Sequence, residues 1–329
     1  MMGRFSVMSQ FFEGKQILIT GGGGYLACGL IALLKDSGCR ITRLVRSIPQ
    51  DEAYGDAPHV KSLTGDVRDP HLWEGVLDGI DVVFHFAAQT STYAANADPL
   101  ADQSVNVMPM LRLLEACRRH KTRIKICFAS TATIVGAPEQ WPVDESFPDH
   151  PLTAYDLHKQ MAEQYLKWYA EQGWVHGVAL RLPNIFGPGP RSSRSDRGIM
   201  NQMIRRALDG DPLTVYGTGE QLRDYLYIED AARAFLLAAV HCEALSGQYF
   251  FIGSGVGYTI ASALKMVAER AAIRTGKVVE VQSVAPPDTL SPVEQRNFVA
   301  DSRRFCEATG WQSYFSLQEG IDQTMEELS

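Results

Sequence analysis

Through the first half of the chain, short apolar runs alternate with longer stretches whose apolar positions recur every three or four residues. The runs Gln16–Thr20, Ile41–Val45, Val60–Thr64, Val82–Ala87, Ile124–Ala129 and Val178–Leu182 are mostly β-branched or aromatic, which predicts buried strands. The stretches Leu26–Lys35, His71–Leu77, Leu100–Arg119 and Ala154–Glu171 predict helices. Strands separated by helices return through right-handed crossovers, so the expected fold class is α/β with a doubly wound parallel sheet. The pattern changes at Gly187. A Gly/Pro/Ser/Arg loop over Gly187–Arg197 precedes a helix at Ile199–Leu208, a strand at Leu213–Tyr216 and a mixed remainder. This predicts a first lobe over residues 1–182, with returning contributions from about 225–260, and a smaller second lobe, mainly 183–329.

Charge and composition narrow the function. The 329 residues carry 31 Lys+Arg against 38 Asp+Glu, a formal charge of −7. Such a balance argues against a nucleic-acid partner, which calls for a basic face. With 45% hydrophobic and 21% charged residues the mixture is that of a globular protein. No stretch approaches the roughly 18–20 apolar residues of a membrane span, and Met1–Gln16 lacks the apolar core of a signal peptide. Cysteines stand at 28, 39, 117, 127, 242 and 306, without a Cys-x-x-Cys and mostly inside apolar segments. The expectation is therefore reduced core thiols in a cytoplasmic protein, with neither a disulfide framework nor a metal site.

The first strand runs directly into Gly21-Gly22-Gly23-Gly24-Tyr25-Leu26-Ala27, spaced Gly21-x-x-Gly24-x-x-Ala27. Glycines permit a tight turn and close approach of a pyrophosphate to the free N–H groups of the following helix. Ala27 occupies the place of a third glycine. The end of the second strand offers Leu44-Val45-Arg46-Ser47 and no carboxylate for the ribose hydroxyls of NAD. Arg46 could pair with the 2′-phosphate of NADP, or simply be a solvated surface arginine. Asp66-Val67 after the third strand and Ala87-Ala88 after the fourth fit adenine and ribose contacts; His85 reads as a packed strand residue.

The chemistry lies further on. The fifth strand leads to Ser130-Thr131-Ala132-Thr133, and Tyr155 and Lys159 stand one turn apart on a predicted helix, on one face. An ammonium and a cationic nicotinamide both favour phenolate. A phenolate there takes a proton from a substrate hydroxyl while hydride leaves for nicotinamide.

Together these residues resemble the extended short-chain dehydrogenase/reductase family, in its sugar-nucleotide epimerase/dehydratase branch, over nearly the whole chain. The resemblance implies a Rossmann domain followed by a substrate-binding lobe, a nicotinamide cofactor (NAD by resemblance, NADP favoured by Arg46) and a homodimer. It makes Tyr155 the base, Lys159 the holder of the nicotinamide ribose, and Thr131 the catalytic hydroxyl. Leu180–Gly189 is similar to the segment whose Asn, here Asn184, contacts a substrate diphosphate. Leu213–Tyr225 resembles the segment along the nucleotide base, with Tyr216 in it and Arg223 on the phosphates. Arg296 resembles a second phosphate arginine. Phe298 stands where residue size decides whether an N-acetyl group fits beside the sugar.

Two departures bear on the reaction. Ala132-Thr133 replaces the acidic pair of the dehydratases, and a decarboxylase would carry Glu at Thr133. What remains is a 4-epimerase acting by transient C4 oxidation and hydride return, or an NADP-dependent reductase of a 4-keto sugar nucleotide. A non-catalytic NADP-binding regulator is the reading of a different class, and the intact Thr131/Tyr155/Lys159 set argues against it. Met108-Pro109-Met110 stands where a small Gly-Gly-Thr-like stretch is usual, and nothing in the sequence explains it.

Overall fold

The computed structural model describes residues 10–47, 59–120, 123–190, 198–286 and 291–328. The signal-peptide expectation for the first nine residues, and the 191–197 part of the Gly187–Arg197 loop, lie outside these. The chain builds a seven-stranded sheet in which every pairing is parallel. It begins with β1 (Gln16–Thr20), α1 (Tyr25–Leu34), β2 (Arg40–Val45), β3 (Val60–Thr64) and β4 (Val82–His85). Three helices, α2 (Thr92–Ala97), α3 (Pro99–Asn106) and α4 (Met108–His120), lead to β5 (Lys125–Thr131), α5 (Ala154–Glu171) and β6 (His176–Leu182).

The second part contributes β7 (Asn184–Phe186), α6 (Ile199–Asp209), β8 (Leu213–Tyr216), β9 (Leu222–Tyr227), α7 (Ile228–Val240), β10 (Gln248–Phe251) and β11 (Gly257–Thr259). It closes with α8 (Ile260–Thr275), β12 (Val281–Val284), α9 (Arg303–Thr309) and α10 (Leu317–Leu328). Strand order in the large sheet is β10-β6-β5-β4-β1-β2-β3. Winding reverses between β1 and β4, and strand ends part there to open a crevice. The seventh strand, β10, comes from beyond residue 182 and pairs with β6. Two smaller sheets, β11-β9-β7 and β12-β8, belong to the second lobe.

Alternation along each strand sends neighbouring side chains to opposite helix layers. In β1, Ile17 and Ile19 join Leu30, Phe84 and Phe235 beneath α1 and α7. Leu18, between them, joins Val83, Leu113, Phe128 and Leu166 beneath α4 and α5. A third cluster, with Phe186, Ile204, Leu213, Val267 and Ile321, holds the second lobe. Among the described residues no helix is long and apolar enough to cross a membrane, and the six cysteines are free.

Several expected elements differ in extent. The single helix expected over Leu100–Arg119 is interrupted at Val107. Pro109 has no N–H, and in a continuous helix its ring would meet the carbonyl of Val105; placed in the first turn of α4 it is tolerated. That supplies a physical reading for Met108-Pro109-Met110. The expected helix His71–Leu77 is only a 3₁₀ turn over His71–Glu74, closed at Gly75. β4 ends at His85 instead of Ala87, because the N–H groups of Phe86 and Ala87 turn to the Thr20 hydroxyl at 3.2 and 3.1 Å. β5 runs on past Ala129, with Ser130 opposite Arg181 and Thr131 opposite Leu182.

Candidate active site

The glycine turn lies at the carboxyl end of β1, where the crevice opens. Gly21 has φ +67°, and a Cβ there would stand 2.8 Å from the backbone N of Ala87. Gly24 donates to the Gly21 carbonyl at 2.8 Å and begins α1 with no side-chain cap. A helix start of that kind offers its first backbone donors to an outside acceptor. A loop this close to the β4 end, opening an uncapped helix, fits a pyrophosphate on backbone N–H groups. Leu26 packs against two of the core clusters. The ring of Tyr25 lies against Gly189, where a Cβ would come within 2.5 Å of it, and thereby ties α1 to the second lobe.

Around the far end of the crevice, Arg46 is exposed beyond β2. Asp66 is gripped by Arg68, whose Nε and Nη2 donate at 3.0 and 2.6 Å. That pairing, ahead of the more distant Arg46, pulls the Asp66 carboxyl down to about 2. Val67 packs with Leu44 and Trp73, and the Trp73 indole donates to its carbonyl at 3.1 Å. Ala87 and Ala88 are half-buried just past β4.

The start of α5 is fixed by a reciprocal cap: the Thr153 hydroxyl accepts from the Asp156 N–H, and the Asp156 carboxylate accepts from the Thr153 N–H. Tyr155 therefore sits in the first turn, 8% exposed, with Lys159 one turn on and 2% exposed. The Lys159 ammonium lies 4.1 Å from the centre of the Phe128 ring. Burial brings it down to about 7, while Glu163 and Asp102 hold it up. His85 is bound to the Thr20 hydroxyl at 2.9 Å, and burial, then Lys159, push it down to about 3. It is a neutral packed residue, as its strand position suggested.

At the end of β5 the Thr131 and Thr133 hydroxyls are 2.8 Å apart, and Thr133 donates to Asp156. Sequence reasoning passed over this carboxylate, although Thr153-x-x-Asp156 ahead of an apolar run is a legible cap signature. It also missed a buried cluster beside Lys159. Asp102 bonds His158 at 2.7 Å and accepts from Gln89 and Asn106 at 2.7 and 2.9 Å. No sequence pattern pairs Asp102 with His158, 56 positions away.

In the second lobe, Arg223 on β9 is only 4% exposed and donates to the carbonyls of Leu222, Glu294 and Arg296. Arg296 donates to the Val293 carbonyl at 2.7 Å. Burial and the neighbouring Arg223 bring Arg296 down to about 10, against the attraction of Glu294 and Asp156. Arg296 thus adjoins both Arg223 and Asp156 at the start of α5. Asn184 opens β7, with its amide 3.4 Å from the Asp224 carbonyl. Tyr216 stands exposed on β8, in a different sheet from Arg223.

Phe298 is 3% exposed, in a cluster with Ala132, Val135, Val143, Phe251 and Ala300. Its ring is packed core, so truncation leaves a cavity before it opens any wall. Phe298→Ala is expected to cost about 3–5 kcal/mol of stability, measured by urea unfolding. A loss below about 1 kcal/mol would show that the site collapses around the smaller residue.

A glycine turn at the switch point of a parallel sheet, with Thr131 at the end of β5 and Tyr155 and Lys159 on the helix α5 packed against that strand, defines a Rossmann-type, nicotinamide-using enzyme. The chain belongs to the NAD dependent epimerase/dehydratase family, whose family model matches residues 17–253. It is 30% identical over 334 residues to a UDP-glucose 4-epimerase of Azospirillum brasilense, covering 95% of this chain and 91% of that one. The UDP-glucose 4-epimerase of Thermus thermophilus, solved with NAD, superposes with a TM-score of 0.82 at 30% identity, over 94% of this chain and 98% of that chain. A Thermotoga maritima UDP-glucose 4-epimerase solved with UDP-glucose gives 0.84 at 26%, over 95% and 98%.

Proposed function

We propose that the protein is a sugar-nucleotide 4-epimerase acting on a UDP-hexose by transient oxidation at C4. The observation that carries this reading is the assembly of Thr131, Tyr155 and Lys159 next to Ala132-Thr133, where no carboxylate follows the catalytic hydroxyl in the chain. Nicotinamide, when bound, accepts a hydride and gives it back. Tyr155 takes the hydroxyl proton and returns it, Thr131 holds the reacting oxygen, and Lys159, one turn along α5 from Tyr155, would hold the nicotinamide ribose. Asn184, Arg223 and Arg296 would meet the diphosphate, guanidinium groups being suited to paired phosphate oxygens. Tyr216 would lie along the base. The UDP-glucose 4-epimerases among the relatives support the choice of nucleotide.

Incubation of purified protein with UDP-galactose, followed by proton NMR, should show UDP-glucose forming without net oxidation. Loss of signal to a reduced or dehydrated product, or no reaction, overturns the reading. A homodimer belongs to the same proposal, supported by Leu157 and Trp168, 46% and 48% exposed on α5. So does a cytoplasmic location, supported by six free thiols.

Arg46 is the feature that supports NADP and, with it, the 4-keto reductase as second reading. Arg46→Asp exchanges a cation able to meet a 2′-phosphate for a carboxylate able to accept from ribose hydroxyls. The ratio of dissociation constants for NADP and NAD should move toward NAD by about tenfold or more, the worth of one charge-assisted contact. An unchanged ratio would mean that Arg46 is a solvated surface residue.

A further inference from the structure

Resting on the epimerase reading, we propose that Asp156 is a positioning residue that sets, through Thr133, which way the Thr131 hydroxyl points at the substrate oxygen. The argument is a count of protons. Asp156 is fully buried; one carboxylate oxygen accepts from the Thr153 N–H at 3.1 Å and the other from the Thr133 hydroxyl. An ionised carboxylate only accepts, so the single proton of Thr133 is committed to it. In the 2.8 Å contact between the two threonines the proton must then come from Thr131. Thr131 also accepts from the Thr133 N–H at 3.3 Å, which leaves it one lone pair for the sugar. Toward the substrate Thr131 can then only accept, so it competes with Tyr155 for the single proton of the sugar hydroxyl and favours the alcohol until Tyr155 takes that proton.

If Asp156 is neutral the chain reverses. The carboxylic acid donates to Thr133, Thr133 to Thr131, and Thr131 to a carbonyl oxygen. Ionised Asp156 thus favours the alcohol stage of the reaction, and neutral Asp156 the ketone stage. The groups that bear on the carboxyl come from three elements: Arg296 from the second lobe, Thr133 from the turn after β5, and Thr153 and the Leu152 backbone from the cap of α5. Burial pushes Asp156 up, while the threonine donors and Arg296 hold it down. Position 133 is where dehydratases and decarboxylases of the resembling family place an acid. Here the carboxylate stands one hydroxyl away and reaches the site through it.

Two variants separate this role from capping. Asp156→Asn keeps an oxygen for the Thr153 N–H but turns an amide donor toward Thr133, reversing the chain. Thr133→Val removes its middle and leaves the cap intact. On mixing with UDP-glucose, each variant should hold about fivefold more of its bound nicotinamide in the reduced form than wild type, the worth of one hydrogen bond. The double variant should do no more than either single one. An unchanged reduced fraction, or additive effects, overturns the proposal. A second readout uses no substrate: in 13C-aspartate-labelled protein, Thr133→Val should raise the titration midpoint of the Asp156 carboxyl. An unmoved midpoint overturns the proposal whatever the substrate. A raised midpoint in a protein that epimerises no UDP-sugar supports the chain and overturns the epimerase reading instead.

Discussion

Tyr155→Phe is expected to lower turnover by about 10²–10⁴-fold, the usual contribution of a general acid–base group. Dinucleotide affinity should change little. The substitution removes one oxygen and retains a ring that is 8% exposed in the first turn of α5. That turn is fixed by the Thr153–Asp156 cap, which the substitution does not touch. Lys159, the Thr131 hydroxyl and the glycine turn keep their places, so the variant should bind cofactor and substrate and fail at proton transfer. Steady-state kcat and fluorescence titration of the dinucleotide provide the two measurements. A variant keeping more than a tenth of wild-type kcat would assign the proton to another group, and the chain ending at Asp156 would be the first place to look. A variant that lost cofactor affinity in parallel would point to a packing role for the ring.

The sheet was legible because its strands are covered on both faces. Central parallel strands need apolar residues on both faces, so β1 and β4 carry the runs Ile17-Leu18-Ile19 and Val82-Val83-Phe84, whereas β3 at the sheet edge carries Lys61 and Ser62. Boundaries were less so. The apolar period of Leu100–Arg119 continues through Val107, and only Pro109 marks the break; periodicity reports side chains, whereas the break is a backbone event. The end of β4 is set by the Thr20 hydroxyl, some 66 positions away, which no local pattern announces.

The site shows the same division. Gly21, Thr131, Tyr155 and Lys159 are bound to elements whose order and spacing can be counted along the chain. The pairing of Arg223 with the segment around Arg296 spans 73 positions and rests on hydrogen bonds to backbone carbonyls, which carry no residue identity. Thr133 was informative in sequence for the acid it is not. Its hydroxyl acquires meaning only when α5 brings Asp156 against it. Phe298 shows the converse: a position singled out for its size turns out to be held in packed core.

Gly21→Ala is expected to remove dinucleotide binding by at least a hundredfold, and a second glycine makes the cause separable. At φ +67° an alanine is strained by about 1–2 kcal/mol. Its Cβ would also stand 2.8 and 2.9 Å from the N and Cα of Ala87. Those are backbone atoms of the segment tied to Thr20, so no side chain can swing aside; the turn or the β4 end must move. Either movement displaces the floor of the crevice on which a pyrophosphate would lie. Gly14 has nearly the same backbone, φ +71°, but a Cβ there meets nothing within 4 Å. Gly14→Ala should therefore lose stability by the strain alone, about 1–2 kcal/mol, and bind dinucleotide as wild type does. Urea unfolding and dinucleotide titration of both variants separate strain from collision. If Gly21→Ala bound as tightly as Gly14→Ala, the pyrophosphate would not lie on this turn, and the crevice between β1 and β4 would lose its claim to the cofactor.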